Sequence, residues 1–128
     1  LAPVDGVMAA YLLRNLNGSD RDRVLATILD GLRPGGWLVL QEYSVAGRRR
    51  AGLVWTLVCW LVVIPLSWLV RGSPRLYRYL WRSVVDFDTV ARFADRLAAA
   101  GFADVAYQTA SGWQRGILHT FVARKPEE

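Results

Sequence analysis

The feature that most constrains this chain is an apolar run of twenty residues, 51-AGLVWTLVCWLVVIPLSWLV-70, which is interrupted only by Gly52, Thr56, Pro65 and Ser67. About 20 apolar residues cross the hydrocarbon core of a bilayer. A single crossing would put residues 1–45 and 80–128 on opposite sides, although their patterns predict strands of one sheet. We therefore expect a monotopic or re-entrant segment broken near Pro65, or a partly buried lid helix. An ordinary buried core helix is the alternative.

The charge of the chain is concentrated around this run. No acidic residue lies from Tyr43 to Val85, whereas seven arginines do: Arg48, Arg49, Arg50, Arg71, Arg75, Arg78 and Arg82. The rest of the chain holds nine cations and eleven anions, so the formal net charge of +5 comes entirely from this segment. Nucleic-acid binding requires cations interleaved with polar contacts on a groove-sized surface. Arginines that bracket an apolar run favour a membrane surface instead, and we expect no nucleic-acid partner.

Composition limits the remaining function classes. The chain has 128 residues, 53% of them apolar, which suits one packed domain. Cys59 and His119 are its only cysteine and histidine, so an internal disulfide is excluded and we expect no metal site. Cys59 lies in the apolar run, where burial should raise its pKa and make it inert. No charged leader is recognised, so we expect a cytoplasmic protein that is peripherally associated with the membrane.

The residues before the insert predict a strand, a helix and a second strand. The small apolar run 4-VDGVMAA-10 is typical of a buried parallel strand. Apolar residues spaced by three and four predict a helix over 21–32, with Ser19 or Asp20 as its N-cap. Pro34 and the following glycines should end that helix, and 37-WLVLQEYS-44 predicts the second strand. Together these segments predict a β-α-β crossover.

The residues after the insert predict a helix and a hairpin. Asp86 or Asp88 should cap the helix, and Gly101 should end it. Its apolar stripe consists of Val90, Phe93, Ala94 and Leu97. Residues 102–110 and 117–123 predict two strands, which a turn at Ser111 and Gly112 joins in antiparallel order. The fold class is therefore α/β, in the order β-α-β, hydrophobic insert, α-β-β with an antiparallel final hairpin.

Four blocks in this order carry a resemblance to a known family: 12-LLRNL-16, 32-LRPGGWLVLQEYS-44, 77-YRYLWRSVVDF-87 and 116-GILHTFVARK-125. They resemble the ubiquinone/menaquinone C-methyltransferases, which are class I S-adenosylmethionine-dependent enzymes that methylate a polyprenylated quinol ring. The resemblance implies the C-terminal part of a Rossmann-like class I sheet. Residues 1–128 would form a single partial methyltransferase domain, with the insert at about 45–85. The implied cofactor is S-adenosylmethionine, and the implied acceptor is a lipid-soluble quinol such as demethylmenaquinol.

Two departures from the family pattern leave alternatives open. The glycine-rich loop and the ribose-binding carboxylate of the family would precede Leu1, so we expect this chain alone to bind S-adenosylmethionine negligibly. The insert is also more hydrophobic than in typical members. The alternatives are a non-catalytic membrane-surface or partner-binding remnant of such an enzyme, and a methyltransferase for another lipid or isoprenoid product.

The resemblance assigns the candidate catalytic and cofactor residues. Arg14 and Asn15 follow the first strand, at the sheet edge where open α/β folds bind ligands. The implied role of Arg14 is to stabilise a quinolate oxygen, and that of Asn15 is to orient a hydroxyl or a water molecule. The alternative is a solvated arginine and a turn asparagine. His119 is the candidate general base, with a structural role as the alternative. Ala10, at the end of the first strand, is the candidate cofactor contact, through its backbone or its small size, and a small buried strand residue is the alternative.

Five further residues are candidates for acceptor binding. Glu42 and Ser44 share one face of the second strand, so they could steer the acceptor. The alternative is that Glu42 caps a neighbouring turn or pairs with an arginine of the insert. Tyr77, Tyr79 and Ser83 lie in a block that the resemblance implies closes the acceptor pocket, with aromatic rings able to stack on a quinone. For the tyrosines, ordinary aromatic packing is the alternative.

Overall fold

The computed structural model describes residues 2–69 and 74–127. Four strands form one sheet in the order β1-β2-β4-β3: β1 (Val4–Ala10), β2 (Leu32–Tyr43), β3 (Ala103–Thr109) and β4 (Leu118–Arg124). β1 and β2 are parallel and are joined through helix α1 (Gly18–Gly31), whereas β4 is antiparallel to both β2 and β3. The predicted α/β class, the crossover and the final hairpin are confirmed.

Helix α1 begins earlier than predicted, because its N-cap is Asn17 rather than Ser19 or Asp20. The Asn17 side chain accepts the backbone N–H of Asp20 at 2.8 Å. Ser19 cannot cap the helix, because it lies inside it, and its hydroxyl donates to the same Asn17 oxygen. The predicted caps are therefore wrong, and Asn17, whose extended backbone has a ψ of 172°, serves as the N-cap.

Helix α5 (Val90–Ala99) is capped by Thr89, which accepts the N–H of Arg92 at 3.1 Å. The predicted caps, Asp86 and Asp88, are therefore wrong. The Asp88 carboxylate is engaged by Arg96 at 2.7 Å and so serves a tertiary contact. Gly101 ends the helix with a φ of 109°, as predicted, since this left-handed conformation favours glycine.

Strand β2 begins at Leu32 rather than at Trp37. Pro34 and the following glycines, which were predicted only to end helix α1, form a bulge inside the strand. Val4 of β1 pairs with Leu32, and Gly6 pairs with Trp37. Gly35 and Gly36, which lie between these pairs, form backbone hydrogen bonds with Lys125 just after β4. The Lys125 N–H donates to the Gly36 carbonyl at 2.9 Å. The bulge therefore extends the sheet instead of ending it.

The insert forms one helix over Arg49–Leu69, here called the insert helix: α2 (Arg49–Val58), a π-helical turn (Cys59–Val63) and α3 (Ile64–Leu69). The expected break near Pro65 is wrong. Proline lacks an N–H, and the π turn that precedes it closes with the Ile64 N–H bonded to the Cys59 carbonyl, so the helix continues. Within the described residues, it is the one helix long and apolar enough to cross a membrane.

Helix α4 (Pro74–Val85) runs back along the insert helix. The Trp81 indole N–H donates to the Thr56 hydroxyl at 3.1 Å, and the Arg78 guanidinium lies 5.7 Å from the Trp60 ring. Residue numbers increase on one helix as they fall on the other, so the pair is antiparallel. Two apolar cores result. One lies between the sheet and helices α1 and α5. The other lies on the inner side of the insert helix and contains Val45, Ala51, Trp55, Cys59, Val84 and Ile117.

Candidate active site

The carboxyl ends of β1 and β2 meet at one edge of the sheet, because these strands are parallel. Tyr11 follows β1 directly and has a φ of 59°, a left-handed conformation that is uncommon for tyrosine. Its N–H donates to the Gln41 carbonyl at 2.9 Å, which fixes this bend. The chain then enters a 3₁₀ turn over Leu13–Asn15. Strained backbone of this kind concentrates at functional sites.

Both backbone polar groups of Leu13 are held by charged side chains from other elements. The Leu13 N–H donates to Glu42 Oε1 at 2.8 Å, and its carbonyl accepts from Arg21 Nε at 2.9 Å. The Leu13 side chain is fully buried in the core beneath the sheet edge. The 3₁₀ turn is therefore clamped from β2 and from α1, and its next residues, Arg14 and Asn15, are held in fixed positions.

The clamp continues into a network of buried charges. Arg21 lies 3.5 Å from Asp88, and Arg96 donates to the same carboxylate at 2.7 Å. Arg96 also pairs with Asp22. Burial lowers the pKa of Arg21, whereas hydrogen bonding to Asp88 raises the pKa of Arg96. One aspartate thus compensates two arginines, and removing it would leave Arg21 buried without its anion and Arg96 with Asp22 alone.

Glu42 lies beneath the turn and not on an open surface. The residue is fully buried, and within residues 2–69 and 74–127 its Oε2 has no hydrogen-bond partner. Burial raises the pKa of Glu42, an effect that the Leu13 N–H and the charge of Arg14 oppose. The structure therefore shows Glu42 capping a neighbouring turn, which was the alternative to direct contact with an acceptor, and this favours a positioning role for the carboxyl.

Arg14 carries unpaired hydrogen-bond donors inside the site. Its Nε and Nη1 are buried, and no partner for them lies among the described residues. The guanidinium is 5.6 Å from the Tyr11 ring and 5.7 Å from the Tyr43 ring. Those two rings stack at 5.1 Å, and Trp55 stacks on Tyr43 at the same distance. An unsatisfied buried donor is costly, so this arrangement is suited to an oxygen atom of a ligand.

Asn15 connects the turn to helix α4. Its side-chain N–H donates to the Tyr11 carbonyl at 3.0 Å, and its Oδ1 accepts from the Tyr79 hydroxyl at 3.3 Å. A pocket of 390 Å³ opens beside Tyr79, and Trp60, Arg78, Trp81 and Arg82 also line it. Of the predicted site residues, the structure therefore brings together Arg14, Asn15 and Tyr79, with Glu42 beneath them.

His119 and Ser44 are buried in structural positions. His119 pairs with Glu42 across β2 and β4, and its Nε2–H donates to the carbonyls of Ser44 and Gly116, both at 3.1 Å. Burial lowers the pKa of His119. The Ser44 hydroxyl donates to the Asp88 carbonyl. These placements favour the structural alternative for His119 over general-base catalysis, and they leave no Ser44 hydroxyl hydrogen for an acceptor.

The other predicted residues are peripheral to the clamp. Ala10 is exposed at the end of β1, open to contact. Tyr77 is half-buried on α4, and the half-buried Ser83 donates to the Leu80 carbonyl of its own helix. Across the two described ranges, no hydrogen bond joins Tyr77 or Ser83 to the 3₁₀ turn. Cys59 is buried beneath the insert, which raises its pKa to about 11, as predicted.

Sequence reasoning missed Tyr11, Tyr43 and Arg21. A usable signal was present for the two tyrosines, since each stands at the carboxyl end of a predicted parallel strand and therefore at the same sheet edge. No local signal identified Arg21, because its interaction with the Leu13 carbonyl depends on how α1 packs against the turn.

Comparison with known proteins agrees with this architecture. The ubiE/COQ5 methyltransferase family matches residues 2–125. The chain is 32% identical over 108 residues to the ubiquinone/menaquinone biosynthesis C-methyltransferase UbiE of Bradyrhizobium diazoefficiens, covering 84% of this chain and 42% of that protein. It is 30% identical over 108 residues to the demethylmenaquinone methyltransferase of Streptomyces avermitilis, covering 84% and 46%. The chain thus spans less than half the length of these relatives.

Solved structures show the same fold at lower sequence identity. The S-adenosylmethionine-dependent methyltransferase SibL in its apo form matches with a TM-score of 0.63 and 19% identity, over 98% of this chain and 32% of that one. Human N-acetylserotonin methyltransferase in complex with SAM matches with a TM-score of 0.61 and 19% identity, over 98% and 30%. The sheet and its helices therefore have the fold of the C-terminal part of a class I methyltransferase.

Proposed function

Since this chain belongs to the ubiE/COQ5 methyltransferase family, we propose that it forms the acceptor side of an S-adenosylmethionine-dependent C-methyltransferase. The acceptor we propose is a lipid-soluble quinol of the demethylmenaquinol type. The names of the Bradyrhizobium and Streptomyces relatives support this substrate class. The observation that carries the proposal is the Arg14 guanidinium, which lies at the carboxyl edge of two parallel strands and whose buried Nε and Nη1 have no hydrogen-bond partner among the described residues.

The residues at this edge fit one side of a cofactor site. Ala10 is small and exposed at the end of β1, so ligand atoms can approach the backbone there. S-adenosylmethionine, when bound, supplies a methyl group activated by a sulfonium. The task of this chain is then to hold the acceptor and to favour the form of its ring that reacts with an electrophile.

Arg14 is suited to that task because a quinol ring carbon becomes nucleophilic as negative charge develops on the neighbouring ring oxygen. The Nε and Nη1 donors of Arg14 would hydrogen-bond this oxygen. Tyr11 and Tyr43 offer aromatic faces beside the guanidinium. The amide of Asn15, held between the Tyr11 carbonyl and the Tyr79 hydroxyl, would orient the second oxygen or a water molecule.

The test is a methyl-transfer assay on the protein expressed from its complete reading frame, with labelled S-adenosylmethionine and a short-chain demethylmenaquinol. We expect a labelled C-methyl product. Arg14→Ala should lower kcat about a hundredfold, because loss of one donor to a developing oxyanion costs about 3 kcal/mol. Its affinity for S-adenosylmethionine should stay unchanged. Arg23→Ala, at an exposed position on α1, is the matched control and should keep full activity.

Each contrary outcome points to one alternative. Absence of both methyl transfer and cofactor binding would overturn the proposal in favour of a non-catalytic remnant. Methylation of another isoprenoid lipid, with none of the quinol, would overturn the acceptor while keeping the reaction class. An unchanged kcat in correctly folded Arg14→Ala would remove Arg14 from the chemistry.

A further inference from the structure

The insert helix has two opposite stripes of side chains. Its buried stripe consists of Ala51, Trp55, Cys59, Ile64 and Ser67. The residue two positions after each of these is a leucine, and the five leucines are between 46% and 81% exposed: Leu53, Leu57, Leu61, Leu66 and Leu69. Two residues correspond to a rotation of about 200° around an α-helix. The leucines therefore form a continuous outward face along the whole helix.

This outward leucine face is part of the exposed surface of the described structure. Trp68, 69% exposed, and Val62, 55% exposed, extend the apolar surface beyond the leucines. A helix on the surface of a soluble protein normally carries polar residues on its outer side, and large exposed apolar patches mark interaction surfaces. Contact with an apolar partner is therefore the simplest physical account of five leucines at these positions.

The charges around the helix identify the kind of partner. The segment without acidic residues, from Tyr43 to Val85, presents exposed arginines at the start of the insert helix and along α4: Arg48, Arg49, Arg50, Arg75, Arg78 and Arg82. Such a combination of leucines and arginines complements a surface that is apolar inside and anionic at its boundary. Each arginine near an anionic bilayer contributes about 1 kcal/mol to binding.

The topology prevents this helix from crossing the bilayer. β2 precedes it and β4 follows it, and the two strands pair directly, so both ends of the insert return to one sheet. The buried stripe also extends from Ala51 to Ser67, which shows that the helix lies lengthwise against the protein. The returning helix α4 is about 18 Å long, and the hydrocarbon core is about 30 Å thick.

We propose that the insert helix docks lengthwise on an anionic lipid bilayer, with its leucine stripe among the acyl chains and the arginines at the phosphates. The Tyr79 hydroxyl on α4 bonds to Asn15, so the docked surface adjoins the candidate active site. Delivery of a quinol from the bilayer to that site would follow, and this consequence rests on the proposed function. The docking itself stands on the leucines, the arginines and the topology.

The first test is co-sedimentation of the intact protein with phosphatidylcholine vesicles, prepared with and without phosphatidylglycerol. We expect binding to the anionic vesicles, which high salt weakens only partly because salt screens the arginines and not the leucines. Arg49→Ser combined with Arg50→Ser should lower affinity for anionic vesicles about tenfold or more. Leu57→Ser combined with Leu61→Ser should abolish binding. Arg23→Ser combined with Arg92→Ser, at exposed positions on α1 and α5, should bind like the unmodified protein.

A fluorescence measurement locates the contact. Trp68 and Trp113 are both exposed, but only Trp68 lies on the insert helix. We expect Trp68→Phe to lose most of the blue shift that vesicles cause, and Trp113→Phe to keep it. Equal loss in both variants would overturn the proposed surface. Circular dichroism of every variant should match that of the unmodified protein, because the altered side chains are exposed.

Two further results would overturn the proposal. In sealed vesicles, tags on the two chain ends should be digested by protease from the same side; tags on opposite sides would establish a crossing helix. A stable dimer that Leu57→Ser dissociates, in a protein that binds no vesicles, would assign the leucine stripe to a second copy of the chain.

Discussion

Beneath the 3₁₀ turn the protein buries Asp88 between two arginines, whereas along the insert helix it exposes five leucines. In the first region each backbone polar group of Leu13 has a side-chain partner, so the position of Arg14 depends on several specific contacts. In the second region the outer leucines are between 46% and 81% exposed, so fewer contacts fix their side chains. The buried charges therefore fix the position of Arg14, whereas the exposed leucines remain available to bind a partner.

We expect the greatest loss of stability from a substitution in the buried network of Arg21, Asp88 and Arg96. Asp88→Ala should lower the free energy of unfolding by about 3–5 kcal/mol, because Arg21 and Arg96 would remain buried without their shared anion. Asp86→Ala is the matched control, since its pair with Arg82 is exposed on both sides, and it should change stability by less than about 1 kcal/mol. Urea unfolding measures both. Similar losses would show that the network contributes no more than a surface pair.

Glu42 should make the stability of the protein depend on pH. Because burial raises its pKa, the folded protein binds a proton more tightly than the unfolded chain does, and ionisation of Glu42 reduces stability as the pH rises above about 4.5. Glu42→Gln keeps an acceptor for the Leu13 N–H and removes this loss, so its advantage should be greatest near neutral pH and vanish in acid. Glu42→Ala should cost about 1–3 kcal/mol, because that N–H loses its partner.

The test is to measure unfolding curves of the unmodified protein, Glu42→Gln and Glu42→Ala between about pH 4 and pH 8. A perturbed carboxyl titrates within this range. A Glu42→Gln variant that is less stable than the unmodified protein at every pH would show that the ionised carboxylate itself stabilises the clamp.

His119 should show the opposite dependence with a smaller effect. Burial lowers its pKa, so the unfolded chain binds the proton first and stability falls as the pH drops below about 6.5. His119→Gln retains a donor for the Ser44 and Gly116 carbonyls and should flatten this decline. Thermal unfolding between neutral and mildly acidic pH is the measurement. A decline that persists in the variant would assign the pH dependence to other groups.

The smallest effect belongs to the leucine stripe. Leu57→Ser should lower the free energy of unfolding by about 1 kcal/mol or less, because the residue is 46% exposed and little burial is lost. Trp55→Ala, on the buried stripe of the same helix, should cost about 3–5 kcal/mol. Chemical denaturation of the two variants compares the faces directly. A large loss in Leu57→Ser would mean that its side chain packs against the protein.

Local patterns were sufficient for much of the fold. The β-α-β crossover and the hairpin follow from apolar periodicity and from Gly101, whose left-handed conformation ends α5. Patterns failed where tertiary contacts decided between equivalent candidates. Asp88 looked like a cap for α5 but pairs with Arg96, so Thr89 caps the helix. Pro65 predicted a break, and the π turn before it allowed the helix to continue.

The same distinction between local sequence signals and tertiary contacts applies to the candidate site. Arg14, Asn15 and Tyr79 were predicted from the resemblance, and the structure brings them together. The alternative in which Glu42 caps a neighbouring turn is the one the structure shows, but the turn it caps could not be predicted, because Leu13 and Glu42 are 29 residues apart. His119 shows the converse: its titration range suggested chemistry, and its burial among backbone carbonyls could be known only from the fold.

The π turn also bears on how this helix tolerates changes in length. On a regular α-helix, five residues would leave Ile64 about 140° from Cys59, yet both are buried on one side. The wider turn absorbs one residue and keeps α2 and α3 in phase. Deletion of one residue between Cys59 and Ile64 would restore a spacing of four, which a regular α-helix also keeps on one face. A one-residue length difference here would therefore be absorbed locally, without turning Leu66 and Leu69 away from Leu53 and Leu57.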